Sequence, residues 1–524
     1  MPENFIYELY YTGECNYKNY ELLYLNQKLF QIRLGRNSYK FYDLANFLDG
    51  SLNSLAKKYL GKEKLDTIDS SRLNNDINYW NENIKDIIKY CIVDAKLTQE
   101  LGNYFWKYIR DTLKFNPRSP YSKGAISQEY FLYKCPYIPR LDDFKFKNND
   151  KCFDMLRHAY YSYAGGRFEL LKRGYIENIY LYDIKSAYPA EIANLIDYTP
   201  GKYGRWIKTL DYMKCDQGFW YCEIDFFHTV LSPFMQKLYG LNIYPVGSFK
   251  QFLSKREIEF ILQNFKEANI NLISGYGYIQ NPKLRPEIKE QIKPFKVMND
   301  IYKLKESADT EEKRNAFKII ANSLYGKFWQ QTGGHTGKLF NPIWASQITS
   351  NVRLKLLEIA MSDNNLKHII GFSTDSIFID KPIDNRFIGK EMGKWELKFK
   401  GKSGVFLMSD IYTIHLENED KHKLRGFKIK LKPDDPPEKW ITVDNIVHNL
   451  DENLKFKYKI TRPMNLGECI VHNKEKNLSL VNIWKEEIKE IDINGDTKRL
   501  WEKKFESGEE VMEKSHSSKP IFLE

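Results

Sequence analysis

Cysteine is scarce: seven in 524 residues, at 15, 91, 135, 152, 215, 222 and 469, with no CxxC pair among them. That scatter speaks against a zinc knuckle and against a disulfide framework, and it suggests a reducing compartment. No apolar run reaches the length of a membrane span. The opening residues, MPENFIYELYY, lack a basic stretch followed by an apolar one, so no secretory signal is evident. There is no internal repeat and no long low-complexity linker. These absences predict an intracellular chain without a membrane partner.

What is present is a globular composition, 42% hydrophobic and 28% charged, which excludes a disordered chain. The length predicts two to four domains. A net charge of +11 favours a polyanionic partner, usually nucleic acid. A Lys- and Asn-rich composition of AT-rich genomes gives the same charge, and composition alone does not separate the two.

Along the chain, strand-like runs (YELLYL, KLFQIRL, SYKFYDL) precede a helical stretch over 81–115, where Ile84, Ile87, Ile88, Cys91 and Leu97 recur at helical spacing. The segment 116–124, NPRSPYSKG, reads as a boundary. A strand, IENIYLYDI, then leads into a helix, SAYPAEIANLI. Two helical stretches over 286–305 and 310–329 read as an antiparallel hairpin, with Asp309 and Glu312 spaced as a capping box. A further helix, SQITSNVRLKLLEIAMS, precedes the run HIIGFSTDSIFID (368–380), and a basic run spans 421–432.

That run holds Asp375 at an apparent hairpin tip among Ile and Phe, where an unpaired carboxylate is costly. In IENIYLYDI, Ile179, Leu181 and Asp183 fall on one strand face. Were the two strands neighbours, both carboxylates could bind the same divalent cations. Mg²⁺ prefers oxygen ligands and takes one or two carboxylates plus substrate phosphates. Two such ions, roughly 3.5–4 Å apart, clamp the attacking and leaving oxygens of a phosphoryl transfer. Either Asp taken alone could equally cap a turn. The third element is RNAFKIIANSLYG, in which Arg314, Lys318, Asn322 and Tyr325 fall on one helix face. That face suits a triphosphate and its base, or is simply a solvated basic face beside a core tyrosine.

YDIKSAYP resembles motif A (Dx2SLYP) of family B DNA polymerases, KIIANSLYG their motif B (Kx3NSxYG), and STDS their motif C (DTDS). YAGG at 163–166 resembles the YxGG element that links exonuclease and polymerase domains. With a long segment between motifs A and B, the chain is similar to the protein-primed branch of phages, archaeal viruses and linear plasmids. The resemblance implies a template-directed DNA polymerase acting on template, primer and dNTPs in a host cytoplasm. A terminal protein would offer a Ser, Thr or Tyr hydroxyl as first primer. It implies Asp183 and Asp375 as catalytic metal-binding carboxylates for two Mg²⁺ ions (or Mn²⁺), the Ile184 carbonyl adding a ligand. Lys318 and Arg314 would hold the triphosphate, Tyr188 would exclude a 2′-hydroxyl, and Asn322 and Tyr325 would line the nascent base pair. Tyr163, Gly165 and Gly166 would contact the template.

The implied fold is α/β (α+β): a right hand of palm, fingers and thumb behind an incomplete RNase H-like domain. Its parts are 1–120 (RNase H-like), 121–205 (linker and first palm part) and 206–284 (terminal-protein-region-like insertion). Then follow 285–332 (fingers), 333–400 (second palm part) and 401–524 (thumb and C-terminal segment).

Several positions depart from the pattern. Ser373 stands where motif C has its first Asp, and Asp410 replaces the lysine of the thumb-side KxY element, removing a cation from the primer or nucleotide site. Only WQQTGGHTGKLF separates motif B from the next helix, so a second insertion is minimal. YCIVD matches the third exonuclease motif through Tyr90 and Asp94, but no DxE precedes it, and NSYKFYD (37–43) reads as a later strand. One carboxylate cannot assemble a two-metal site. Negligible 3′–5′ exonuclease activity is therefore expected, unless a separate chain supplies the missing motifs. The rivals are a degenerate polymerase fold acting as a DNA- or terminal-protein-binding scaffold, and a nuclease, which the lone Asp94 disfavours.

Overall fold

The computed structural model describes the chain except residues 1–2, 26–28, 70–71, 74–75, 136, 145–148, 285–287, 289–291, 333–334, 427–440, 473–480, 482 and 524. Half of the basic run at 421–432, residues 427–432, therefore falls outside the described residues. Two compact units are present: Met1–Tyr133 with Lys303–Leu324 and Tyr458–Lys489, and Lys134–Tyr302 with Tyr325–Lys457 and Glu490–Glu524.

In the first unit, helix Glu3–Thr12 precedes a four-stranded antiparallel meander of Glu14–Tyr17, Tyr20–Leu25, Leu29–Leu34 and Asn37–Tyr42. Asp43 ends the last strand by accepting the Ala45 amide, which caps a 3₁₀ turn. Helix Ile77–Leu113 follows and buries Tyr79, Ile87, Leu97, Leu101, Phe105, Ile109 and Leu113. Ile84, Ile88 and Cys91 share the helical spacing but are exposed. The reason is that helix Leu52–Leu60 packs farther along, around Leu97 and Leu101.

Helix Glu311–Ser323 buries Ala316, Phe317, Ile320 and Ala321, and the Ser127 hydroxyl donates to the Ile320 carbonyl at 2.7 Å. The expected Asp309/Glu312 capping box is not formed. Thr310 is the N-cap, accepting the Lys313 amide, while Asp309 pairs with the Lys313 ammonium at 2.8 Å. The helix ahead of it spans Met298–Glu306, against an expected 286–305. Pro294, which lacks an N–H, lies in the turns at 294–297 that precede it; residues 285–287 and 289–291 lie outside the described residues.

The second unit is built on an antiparallel sheet. Its strand order is Asp420–Leu424, Ile411–His415, Trp395–Met408, Lys172–Ile184, Ser376–Ile379, Ile369–Thr374 and Arg167–Leu170. From Ile179 onward Lys172–Ile184 alternates: Ile179, with Leu181 packed beside it, enters one core, and Tyr182 and Ile184 enter the other; Ile176 joins the first core from beyond Asn178, which takes φ +56° and breaks the alternation. The second core is closed by helix Pro342–Met361, which starts at an Asn341 N-cap with Pro at its first position. Helix Ala187–Asn194 contributes Ala187 to it. A separate five-stranded sheet holds the 206–284 segment: Gly204–Lys208, Asn269–Gln280, Gln217–Phe226, Val246–Ser254 and Phe522–Leu523.

A buried ion set ties the C-terminal segment to strand Arg167–Leu170. Glu169, 1% exposed, is held between Arg167 and Arg499. Arg499 also donates to the Ser518 hydroxyl and the Val230 carbonyl at 2.7 Å each. Two guanidiniums out of water are tolerable only with that shared carboxylate. Glu169→Gln is expected to lower the unfolding free energy by about 3 kcal/mol or more. Urea denaturation checks this, and a change below about 1 kcal/mol would show that the set is not a staple.

Candidate active site

The hairpin Ile369–Thr374/Ser376–Ile379 turns at Asp375. Thr374 takes φ +65° there, a costly conformation for a β-branched residue, and the Asp375 amide folds back onto the Ser373 carbonyl at 2.8 Å. The returning strand pairs antiparallel with Lys172–Ile184, so that Ser376 lies opposite Asp183. The Ser376 hydroxyl donates to Asp183 Oδ1 at 2.9 Å, and the Ile184 amide donates to the Asp375 carbonyl at 3.0 Å. Residues 192 positions apart are thus locked side by side by main-chain bonds.

Electrostatics registers the same proximity. Burial, then the charge of Asp183, pushes Asp375 up to about 6. Burial also raises Asp183, against the Ser376 hydroxyl and the Lys398 ammonium, which lower it. Lys398 Nζ lies 3.4 Å from Asp183 Oδ2 and also contacts Glu396, which pairs with Lys185 at 2.9 Å. An ammonium held between two carboxylates is the kind of position a hard cation fits. Among the described residues no group of three or more His, Cys, Asp and Glu has metal-binding geometry.

Beside the pair, Tyr188 packs on Tyr325 with ring centroids 4.7 Å apart, and the Tyr325 and Tyr163 hydroxyls share a hydrogen bond of 2.8 Å. Tyr163 stacks on Trp329 at 3.8 Å. Burial and then the Asp375 charge hold the Tyr188 phenol well above its ordinary value, so it stays protonated. Gly166 has no room for a side chain: a Cβ there would meet Thr374 Cγ2 at 2.8 Å and the Tyr188 hydroxyl at 3.0 Å. The Ala164 and Gly165 carbonyls each accept from Arg353 Nη1 at 2.8 Å, and Arg353 is itself held by Glu257 at 2.6 Å.

Arg314, Lys318 and Asn322 form an exposed row on helix Glu311–Ser323. Tyr325 lies past the end of that helix, in a 3₁₀ turn. Asp94 and Tyr90 sit on helix Ile77–Leu113, where Lys64 pairs with Asp94 at 2.6 Å and donates to the Tyr90 hydroxyl at 2.7 Å. The two departures from the motif pattern contact each other: the Ser373 hydroxyl donates to Asp410 Oδ1 at 2.9 Å, and Lys423 pairs with Asp410 Oδ2 at 2.9 Å. Lys423, on the adjoining strand, thus neutralises the Asp410 carboxylate. Sequence reading missed Lys423, Lys398, Glu396 and Arg353. Only cross-strand register places the first three, and Arg353 sits mid-helix without a local signal.

Residues 17–336 match the family described as DNA polymerase type B, organellar and viral. The chain belongs to this family. It is 24% identical over 495 residues to a probable DNA polymerase of Podospora anserina, covering 76% of this chain and 40% of that one. It is 22% identical over 289 residues to a DNA polymerase of Acidianus bottle-shaped virus, covering 51% of this chain and 40% of that one. The chain thus spans about two fifths of the length of these relatives. Among solved structures, phi29 DNA polymerase complexed with primer-template DNA superposes with a TM-score of 0.61 at 16% identity. That match covers 93% of this chain and 88% of that one. The likeness shows the fold, a right-hand polymerase architecture. Among the described residues no helix is long and apolar enough to cross a membrane.

Because Asp375 has a folded pKa of about 6, above the carboxylate value of 3.8, its charge destabilises the metal-free fold. The stabilising contribution of the protonated form is complete below about pH 3.8 and is lost as pH rises through about 6. Asp375→Asn in EDTA should therefore gain up to about 3 kcal/mol over wild type at pH 8, and almost nothing near pH 4. Urea unfolding at the two pH values checks this; an equal gain at both would contradict it.

Proposed function

We propose that this chain is a template-directed DNA polymerase, extending a primer by transfer of a nucleotidyl group from a dNTP with release of pyrophosphate. The observation that carries the reading is the lateral pairing of Asp183 with the Asp375 hairpin tip. Bound there, two divalent cations, Mg²⁺ in the first instance, would activate the primer hydroxyl and neutralise charge on the phosphates. Asp183 and Asp375 would hold them, with the Ile184 carbonyl as an added ligand.

The remaining roles belong to the side chains already placed. Lys318 and Arg314, exposed on their helix, would hold the triphosphate and oppose the charge developing on pyrophosphate. The Tyr188 ring would fill the space a ribose 2′-hydroxyl needs. Asn322 and Tyr325 would line the new base pair. Tyr163, Gly165 and Gly166 would meet the template, glycine permitting close backbone approach. A terminal protein offering a hydroxyl as first primer accords with the family, as do viral or plasmid replicons. The fold segments would serve as thumb (401–524), fingers (285–332), terminal-protein-region-like insertion (206–284) and RNase H-like remnant (1–120).

In the N-terminal unit, Lys64 neutralises Asp94, which supports negligible proofreading by this chain alone. A separate chain would have to bring the missing carboxylates.

Primer extension with Mg²⁺ tests the reading. Asp183→Ala and Asp375→Ala should each lower extension by about a thousandfold or more, while primer–template affinity stays within about threefold. Extension persisting in either variant would refute the assignment. Binding without any incorporation by wild type would instead favour a scaffold.

A further inference from the structure

Strand Trp395–Met408 carries an irregularity beside the carboxylate pair. Along its pairing with Lys172–Ile184, Glu396 lies opposite Asp183 and Leu397 opposite Tyr182, but Phe399, not Lys398, comes opposite Leu181. Lys398 is therefore the extra residue of a β-bulge, a feature that re-aims a side chain and recurs beside active sites. In a regular ladder Lys398 would stand next to Leu181 against an apolar core. The bulge gives that place to Phe399, which packs there with Leu181. Freed from the ladder, the half-exposed Lys398 turns its ammonium to Asp183 Oδ2 at 3.4 Å and to Glu396. Glu396 has a second cation, Lys185 at 2.9 Å. Besides Lys398, the Asp183 carboxylate has among the described residues one side-chain partner, the uncharged Ser376 hydroxyl at 2.9 Å.

We propose that Lys398 is the resident counter-ion of the carboxylate site. It holds Asp183 while no metal is bound, gives way to the first divalent cation by shifting onto Glu396, and thereby sets how much metal the site requires. This rests on the polymerase reading above. An ammonium and a metal ion need the same lone pairs of Asp183 Oδ2, so they compete for it. The metal wins at sufficient concentration because it carries twice the charge and binds several oxygens at once. The ammonium leaves without being stranded, since Glu396 still pairs with it. It stays on the neighbouring strand, however, where its charge opposes that of the metal. Lys398 in this role positions a metal ligand and touches neither the nucleotide nor the reacting hydroxyl.

Mn²⁺ binding to the full chain without DNA or nucleotide, followed by the electron paramagnetic resonance of the free ion, tests this. Lys398→Met should tighten Mn²⁺ binding by about tenfold, the order expected on removing a unit charge close to a divalent ion in a wet cleft. Lys398→Arg keeps the charge and should keep the wild-type affinity. Lys400→Met removes an equal charge farther along the same strand, where Lys400 lies over the Tyr180 ring, and should change the affinity by less than about twofold. If methionine at 398 lowers the melting temperature, Lys398→Gln removes the charge while leaving a polar side chain. Unchanged or weakened Mn²⁺ binding in a folded, uncharged variant overturns the proposal, as does equal tightening by Lys400→Met. Either result leaves the carboxylate site standing. Wild type that binds no Mn²⁺, or whose binding is undiminished by Asp183→Ala, would instead sink that site and the polymerase reading with it.

Discussion

The antiparallel ladder that sets Ser376 opposite Asp183 carries the rest of the site. Side-chain attraction could not hold two carboxylates together, since burial and mutual repulsion both oppose their charge. Main-chain bonds do so instead: the Ile184 amide holds the Asp375 carbonyl, and the pairing runs back through Ile377, Phe378 and Ile379. Each of those residues is buried, and a one-residue slip would turn the apolar set to the wrong face. The hydrophobic cores on both sides of the sheet therefore fix the register, and the register fixes the carboxylates. The destabilisation of the Asp375 charge, from burial and the neighbouring Asp183, is what a bound cation would relieve.

Around this ladder, charge is balanced by exchange between neighbouring strands. Ser373 and Asp410 each look like a loss when compared with the family pattern. Together with Lys423 they form one bonded set in which the Asp410 charge is neutralised. Lys398 and Glu396 do likewise beside Asp183. A position-by-position comparison registers such changes as defects, whereas the sheet registers them as one rearranged network.

Much of the site was legible because its chemistry is local. Asp183 ends an apolar strand, Asp375 interrupts an apolar hairpin, and Lys318 shares a helix face with Arg314; alternation and helical period suffice for each. The steric demand of Thr374 and Tyr188 on Gly166 was not legible, since it arises between residues far apart in the chain. What was not legible depends on long-range pairing. Arg353, Lys398 and Lys423 gain meaning only from strands and loops far away in the chain. The misplaced capping box and the late start of helix Met298–Glu306 are local errors of another kind. At the former, a threonine hydroxyl outcompeted an aspartate one residue earlier; at the latter, Pro294 falls in the turns before the helix. The exposure of Ile84 and Ile88 reflects where helix Leu52–Leu60 packs, which period alone does not reveal.

The most direct measurement is anomalous diffraction from crystals soaked in Mn²⁺. Peaks in contact with the carboxylates of both Asp183 and Asp375, with Lys398 moved away from Asp183, are the predicted result. Manganese bound to only one of the two residues, or carboxylates pointing into separate clefts, would contradict it.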